Sequence, residues 1–172
     1  MSFHTSAGAT LGISASLPAT DDVGGYTALT YTSINGINSI GAFGKSFSEV
    51  TFNPLNDRKT LKYKGSYDNG SIPVDAALDD DDAGQDLLFD ALDSDANYAF
   101  ELKLQNNNAR YFTARVMSAA QNPGSVDSMY SVQYQLSLNS DVKFYLWVDG
   151  FMSFDGYLLA DGYLVSDSEL IA

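Results

Sequence analysis

Residues 130–139 read YSVQYQLSLN, and the apolar side chains fall on every second position. Tyr130, Val132, Tyr134, Leu136 and Leu138 share one face of an extended chain, opposite Ser131, Gln133, Gln135, Ser137 and Asn139, because successive strand side chains point to opposite faces. A helix would scatter the same apolar residues around its circumference. The stretch therefore predicts a strand with one dry and one wet face, as in antiparallel sheets. Its neighbours repeat the pattern. YAFELKLQ (98–105) sets Tyr98, Phe100, Leu102 and Leu104 against Glu101, Lys103 and Gln105. RYFTARVMSA (110–119) turns Phe112, Ala114 and Val116 inward, and VKFYLWVDG (142–150) groups Val142, Phe144, Leu146 and Val148. Weaker strand patterns fall at 10–16, 26–32, 36–43, 47–53, 60–67 and 71–77.

Only DDDDAGQDLLFDAL (79–92) has a helical period, with Leu88, Phe89, Ala91 and Leu92 on one face. It predicts a helix over about 83–93. The four aspartates before it invite a metal reading, which fails on register. A calcium loop starting at Asp79 needs oxygen ligands at its fifth and ninth positions, and these are Ala83 and Leu87. Its twelfth position is the short Asp90, and SIPVDAAL ahead of it reads as a strand rather than an entering helix. Capping is the simpler account: Asp81 and Asp82 accept from free N–H groups of the first turn and complement the helix dipole. No metal site is expected here.

Composition narrows the function classes. The chain has 172 residues, enough for one domain with its own core. Its 22 acidic and 9 basic residues give a net charge of −13, which disfavours binding to nucleic acid or anionic membranes. Without cysteine there is neither a disulfide framework nor a thiolate metal site. MSFHTSAGATLGISASLPAT lacks the basic and apolar regions of a signal peptide. No apolar stretch approaches the ~20 residues that span a bilayer, so no membrane insertion is expected. A soluble protein of a reducing compartment is the default. Catalysis is equally unsupported. His4 is the single histidine, near the N-terminus, and no nucleophile elbow, phosphate loop or dinucleotide fingerprint accompanies it. Neither catalytic residues nor a cofactor are expected.

Charge is distributed unevenly. Residues 79–95 hold eight acids and no base, whereas Arg58, Lys59, Lys62 and Lys64 crowd into seven positions. The C-terminal end, DGFMSFDGYLLADGYLVSDSELIA, repeats Asp-Gly-aromatic every six residues from Asp149, Asp155 and Asp161, with a degenerate unit at Asp167. Asp-Gly is a tight-turn signal. If the chain ran extended, Phe151, Tyr157 and Tyr163 would share a face. The division expected is a β domain over 1–148 and an extension over 149–172 that packs on the body or on a neighbouring subunit.

Several short signatures occur in a distinctive order: TLGISASLPATDD (10–22), YTALTYTSINGINSIGAFG (26–44), LNDRKTLKYKGSYDNG (55–70), DDDDAGQDLLFDAL (79–92), YAFELKLQN (98–106) and residues 110–139. The second contains the pattern G-[IV]-x-x-[IL]-G-x-[FY]-G and the fourth D-x-G-Q-x-x-L. Over roughly residues 8–140 this set resembles the major tail tube proteins of long, non-contractile phage tails. The resemblance implies a β-sandwich or half-barrel of two antiparallel sheets with one flanking helix. It further implies homo-hexameric rings stacked into a hollow tube, a negatively charged conduit for genome delivery, with a sheet surface as the inner wall. DNA would pass through without specific binding. Partners would be other copies of the chain and other tail proteins (tape measure, terminator, tail tip). The location would be the virion tail, after assembly in the host cytoplasm. A long loop over Asn53–Gly70 would bridge adjacent rings, placing Arg58, Lys59, Lys62 and Lys64 at the inter-ring contact. The competing reading is an acidic β-sandwich module of a virion decoration or tail tip that binds carbohydrate or a host receptor, using its aromatic strands and the Asp-Gly-aromatic repeats.

Overall fold

The computed structural model describes residues 6–126, 128–148, 151–154, 157–160 and 163–165. The chain begins with β1 (Thr10–Ser14), α1 (Val23–Thr27), β2 (Thr32–Ile34), β3 (Ile37–Ile40) and β4 (Ser46–Phe52). β5 (Leu61–Asp68), β6 (Ser71–Ala77), α2 (Ala83–Leu92), β7 (Tyr98–Lys103) and β8 (Ala109–Asn122) follow. The last elements are β9 (Ser131–Leu138), β10 (Lys143–Val148), β11 (Phe151–Phe154), β12 (Tyr157–Ala160) and β13 (Tyr163–Val165).

Every strand pair is antiparallel, and the fold is mainly β, as the alternation predicts. The hinge of the architecture is β8, whose fourteen residues serve two layers. Its first half pairs with β7, from Ala109↔Lys103 to Ala114↔Tyr98. Its second half pairs with β9, from Ala114↔Leu138 to Asn122↔Ser131, with a register shift between Val116 and Ser118. One layer continues through β7 to β1 and β2, the other through β9 to β6 and β3. The two layers are thus one bent, open sheet rather than a closed barrel.

The core lies in the bend. Leu11, Ile13, Phe100 and Phe112 from one layer meet Ile72, Val74, Val132, Tyr134 and Leu136 from the other, and α2 closes the gap with Leu88 and Ala91. Phe100 and Phe112 stack with ring centroids 5.5 Å apart. Burying each such side chain contributes about 1.5–3 kcal/mol. Behind β7 and β8 a second cluster forms from Tyr26, Ala99, Ala109, Tyr111 and Tyr145.

Three departures from the sequence reading follow, the first two of them set by that second cluster. Residues 26–32 are not a strand: Tyr26 belongs to α1, a second, short helix, and the strand starts at Thr32. Asp22 caps α1, its carboxylate accepting from the Gly25 N–H at 2.7 Å and from the Thr20 hydroxyl at 2.8 Å. The N–H bond holds the Asp22 pKa below the ordinary carboxylate value. In β10 the buried side chain lies on the face opposite the expected grouping. Tyr145 is the buried residue and packs edge-on to Tyr111, while Phe144 and Leu146 are exposed. Phe144 instead covers the Arg110 guanidinium, 4.6 Å from its ring. Finally, the chain does not run extended through the C-terminal repeats. β11, β12 and β13 form an antiparallel meander begun by the second half of β10, so the chain reverses once per repeat. The single-face condition is therefore not met. The Asp-Gly pairs at 149–150, 155–156 and 161–162, the unit at Asp167, and His4 lie outside the described residues.

Candidate functional site

Three features stand out: a polar clip at the start of α2, a wet sheet face with open edges, and a projecting basic arm. The clip comes from the aspartate run. Asp82 is the N-cap of α2, and its carboxylate accepts from Gln85 N–H at 3.0 Å. It also accepts from the Asn35 backbone N–H at 3.2 Å and side-chain amide at 2.7 Å. Asp81 stands outside the cap, its N–H donating to the Asp79 carboxylate. Gln85 is fully buried with its amide fully used. Its Nε2 donates to the Asn35 and Ala77 carbonyls at 3.0 and 2.9 Å, and its Oε1 accepts from Asp79 N–H at 3.3 Å.

D-x-G-Q-x-x-L is therefore a set of contacts. Asp82 caps and Gln85 ties the helix start to the β2–β3 turn and the end of β6. Leu88 enters the core, and Gly84 lets the helix approach β2. A Cβ on Gly84 would collide with the Ser33 carbonyl and lie 2.8 Å from the Ile34 Cα. The roles of Gln85 and Gly84 were missed in the sequence, although Asp82 and Gln85 have the spacing of a capping box. The G-I-x-x-I-G-x-F-G stretch has a similar basis: Gly36 turns with φ +73°, and Phe43 packs on Phe112 with ring centroids 6.1 Å apart.

The wet face belongs to β3, β6, β9 and the second half of β8. On β6, Ser71 lies across from Ser137 and Asp75 across from Gln133 on β9, with Gln135 one diagonal step from Ser71. Gln135 donates to the Ser71 hydroxyl at 2.6 Å, and the Asp75 carboxylate accepts from Gln133 and Ser39, both at 2.8 Å. Arg115 on β8 donates to Asn97 at 3.1 Å. Hydroxyls and amides dominate this surface. Its two lateral edges have no strand partner among the described residues: β3 pairs with β6 alone, and β8 beyond Val116 pairs with β9 alone. An open edge of this kind is a template for another chain.

The arm is β4 and β5, a two-stranded sheet apart from the main one. The expected loop over 53–70 therefore contains a strand, β5, over Leu61–Asp68. The connection 53–60 is irregular and carries Arg58 and Lys59, while Lys62 and Lys64 are on β5. Register places Val50 opposite Tyr63 and Phe52 opposite Leu61 on one face, and Glu49 opposite Lys64 and Thr51 opposite Lys62 on the other. Lys62 pairs with Glu49 at 3.0 Å, and Lys64 lies 4.6 Å from the Phe47 ring centroid. Among the described residues the Arg58 and Lys59 side chains have no such partner. Every residue of β4 is exposed, as is Tyr63, and Leu55 at the tip is wholly so. Lys45, at the base, pairs with Asp141 at 2.9 Å and its hydrogen bond holds the Asp141 pKa down.

No protein-family model matches the sequence, and no curated protein matches it. Solved structures do. The SPP1 tail tube is 16% identical and aligns at a TM-score of 0.58, covering 82% of this chain and 78% of that one. The six-fold symmetrised baseplate of the anti-feeding prophage (AFP) gives 10% identity and a TM-score of 0.59, with coverage of 87% and 99%. The sheath/tube terminator of the PVC extracellular contractile injection system gives 11% and 0.57, with coverage of 79% and 91%. At these identities the likeness is one of fold. The chain has the tail-tube fold.

Proposed function

We propose that this chain is the structural subunit of a phage-type tail tube, and that its copies close into hexameric rings that stack into a conduit for the genome. The observation that carries the reading is the wet face of β3, β6, β9 and β8, bounded by two open edges in a fold shared with tail tubes. Joining the β3 edge of one copy to the β8 edge of the next makes a continuous wall. Phe52, Val50 and the rest of the arm stay clear of that wall and are available to a neighbouring ring.

The chemistry of the wall suits passage. DNA is retained by cations that release its counterions, and each phosphate contact steepens the salt dependence of binding. On β6 and β9 this face offers Ser71, Ser131, Gln133, Gln135 and Ser137, with Asp75 its only charge. Arg115 on β8 adds one cation, already engaged by Asn97. The acidic excess of the chain lies mainly elsewhere, over 79–95. Tape measure, terminator and tail-tip proteins are the other partners the role implies.

Sedimentation velocity over a rising concentration series tests self-association. The expected result is a cooperative passage from monomer to ring-sized and larger species. A chain that stays monomeric at all concentrations, yet is retained by a carbohydrate matrix, would favour the decoration or tip-module reading instead.

A further inference from the structure

The arm meets the body at a narrow base. Among the described residues, every side-chain hydrogen bond, ion pair and ring contact of residues 46–68 is made within 45–70. β4 is exposed throughout, so burial does not fix the direction of the arm either. Two backbone bonds mark where the body ends: Gly41 N–H donates to the Pro73 carbonyl at 2.7 Å, and Leu138 N–H to the Gly70 carbonyl at 3.0 Å. The two connections carry glycine. A Cβ on Gly44 would meet nothing within 4 Å, and Gly70 turns with φ +78°. Two open clefts lie at the base, both lined by Asn69 and Asp141. One of about 450 Å³ reaches Leu17 and Tyr67, and one of about 260 Å³ reaches Phe43 and Phe144. Backbone freedom and empty space together leave the hairpin room to swing.

One side chain spans that base. Lys45, directly before β4, sets its Nζ 2.9 Å from both carboxylate oxygens of Asp141 and 4.2 Å from the centroid of the Tyr67 ring on β5. The body side of this contact is itself fixed. Asp141 follows Ser140, whose hydroxyl accepts from Thr113 N–H at 2.8 Å and lies 3.3 Å from the Tyr26 hydroxyl. Asn139 N–H donates to the Thr113 carbonyl at 2.9 Å. A single exposed ion pair is weak. Here the same ammonium also lies against an aromatic ring, which adds cation–π attraction, and it joins the arm to an otherwise rigid segment. We propose that Lys45 and Asp141 form a latch that holds the arm in one direction in the free chain, and that the hairpin swings about Gly44 and Gly70 when the latch is open. The latch presents Val50, Phe52 and Tyr63 in a fixed direction, so the cost of ordering the hairpin is met on folding rather than on association. The inference concerns the free chain and stands apart from the stacked-ring reading.

Spin labelling tests it, since the chain has no cysteine of its own. Thr51→Cys on β4 and Asp90→Cys on α2, both at exposed positions, put one label on the arm and one on the body. The readout is the distribution of label-to-label distances from pulsed electron paramagnetic resonance, at dilutions where the chain is monomeric. The labelled parent is expected to give one narrow distance. Lys45→Met and Asp141→Asn, each placed in that parent, are expected to melt with it but to raise the displaced population roughly fivefold. Combining the two should add little, because either one opens the same contact. Lys62→Met removes an ion pair inside the arm and should leave the distance narrow. A broad distribution in the parent, a narrow one in both single variants, equal broadening from Lys62→Met, or a combined variant broader by the same factor again would overturn the latch. None of these outcomes bears on ring formation, which sedimentation decides separately.

Discussion

Gln85→Leu removes the clip while keeping the volume of a buried side chain. Three backbone groups then lose their partner: the carbonyls of Asn35 and Ala77 and the N–H of Asp79. A buried backbone group left unpaired costs about 1–3 kcal/mol. All three bonds are only partly buried, so water rescues part of each, and about 1 kcal/mol apiece is the appropriate end of the range. Burying leucine in place of an amide returns up to about 1 kcal/mol. The net loss is about 2–3 kcal/mol, or roughly 5–10 °C in Tm for a chain of this size. The assay is thermal unfolding followed by far-ultraviolet circular dichroism, at dilutions where the chain is monomeric, since assembly itself raises Tm. Gln85→Glu keeps the acceptor for Asp79, loses both donated bonds and sets a second carboxylate beside Asp82. It is expected to destabilise at least as much as leucine. A loss below about 0.5 kcal/mol for both variants would show that the clip does not hold α2 to the sheet.

Three further outcomes are expected. The Tyr134 hydroxyl is buried with no hydrogen-bond partner among the described residues, so Tyr134→Phe should leave Tm unchanged or raise it by a few degrees; a large fall would show a hidden partner. Burial pushes the Tyr134 phenol up to about 12 from an ordinary 10.0 and also raises Tyr26, Tyr31 and Tyr111. The folded state then holds these protons more tightly than the unfolded chain. Their contribution is intact below pH 10 and is lost as pH rises towards 12, so the phenolate absorbance of these four tyrosines should appear together with unfolding rather than before it. Truncation before Asp149 removes β11–β13, which add to the sheet only through β10, and is expected to leave ring closure intact by sedimentation; monomers alone would assign the Asp-Gly-aromatic repeats to the ring interface.

Strict alternation made the dry and wet sides of β9 and the inward residues Phe100, Leu102, Phe112, Ala114 and Val116 readable before any coordinates. The same rule failed wherever a second surface needed covering. In β10 all the aliphatic side chains sit on even positions, yet Tyr145 turns inward because Tyr26 and Tyr111 await it on the back of the sheet. α1 was hidden because five residues with two glycines carry no helical period, and the tyrosines around it mimic a strand. Both strands of the arm were legible, since the weak patterns at 47–53 and 60–67 match β4 and β5, whereas the loop over 53–70 followed from the resemblance and overruns β5. The arm's apolar face shows only when Val50 and Phe52 are laid in register against Tyr63 and Leu61. At the helix start, Asp82 could be assigned as a cap from sequence. The reach of Gln85 to Asn35 and Ala77 could not, since those partners lie 50 and 8 positions away.

The most direct test of the account is electron microscopy of the purified wild-type chain, concentrated until it assembles and reconstructed with helical symmetry. The account predicts stacked sixfold rings around an open bore. Ser71, Asp75, Gln133 and Gln135 should line that bore, and each arm should reach the next ring. Absence of any ordered assembly, or tubes whose bore is lined by another face of the sheet, would contradict it.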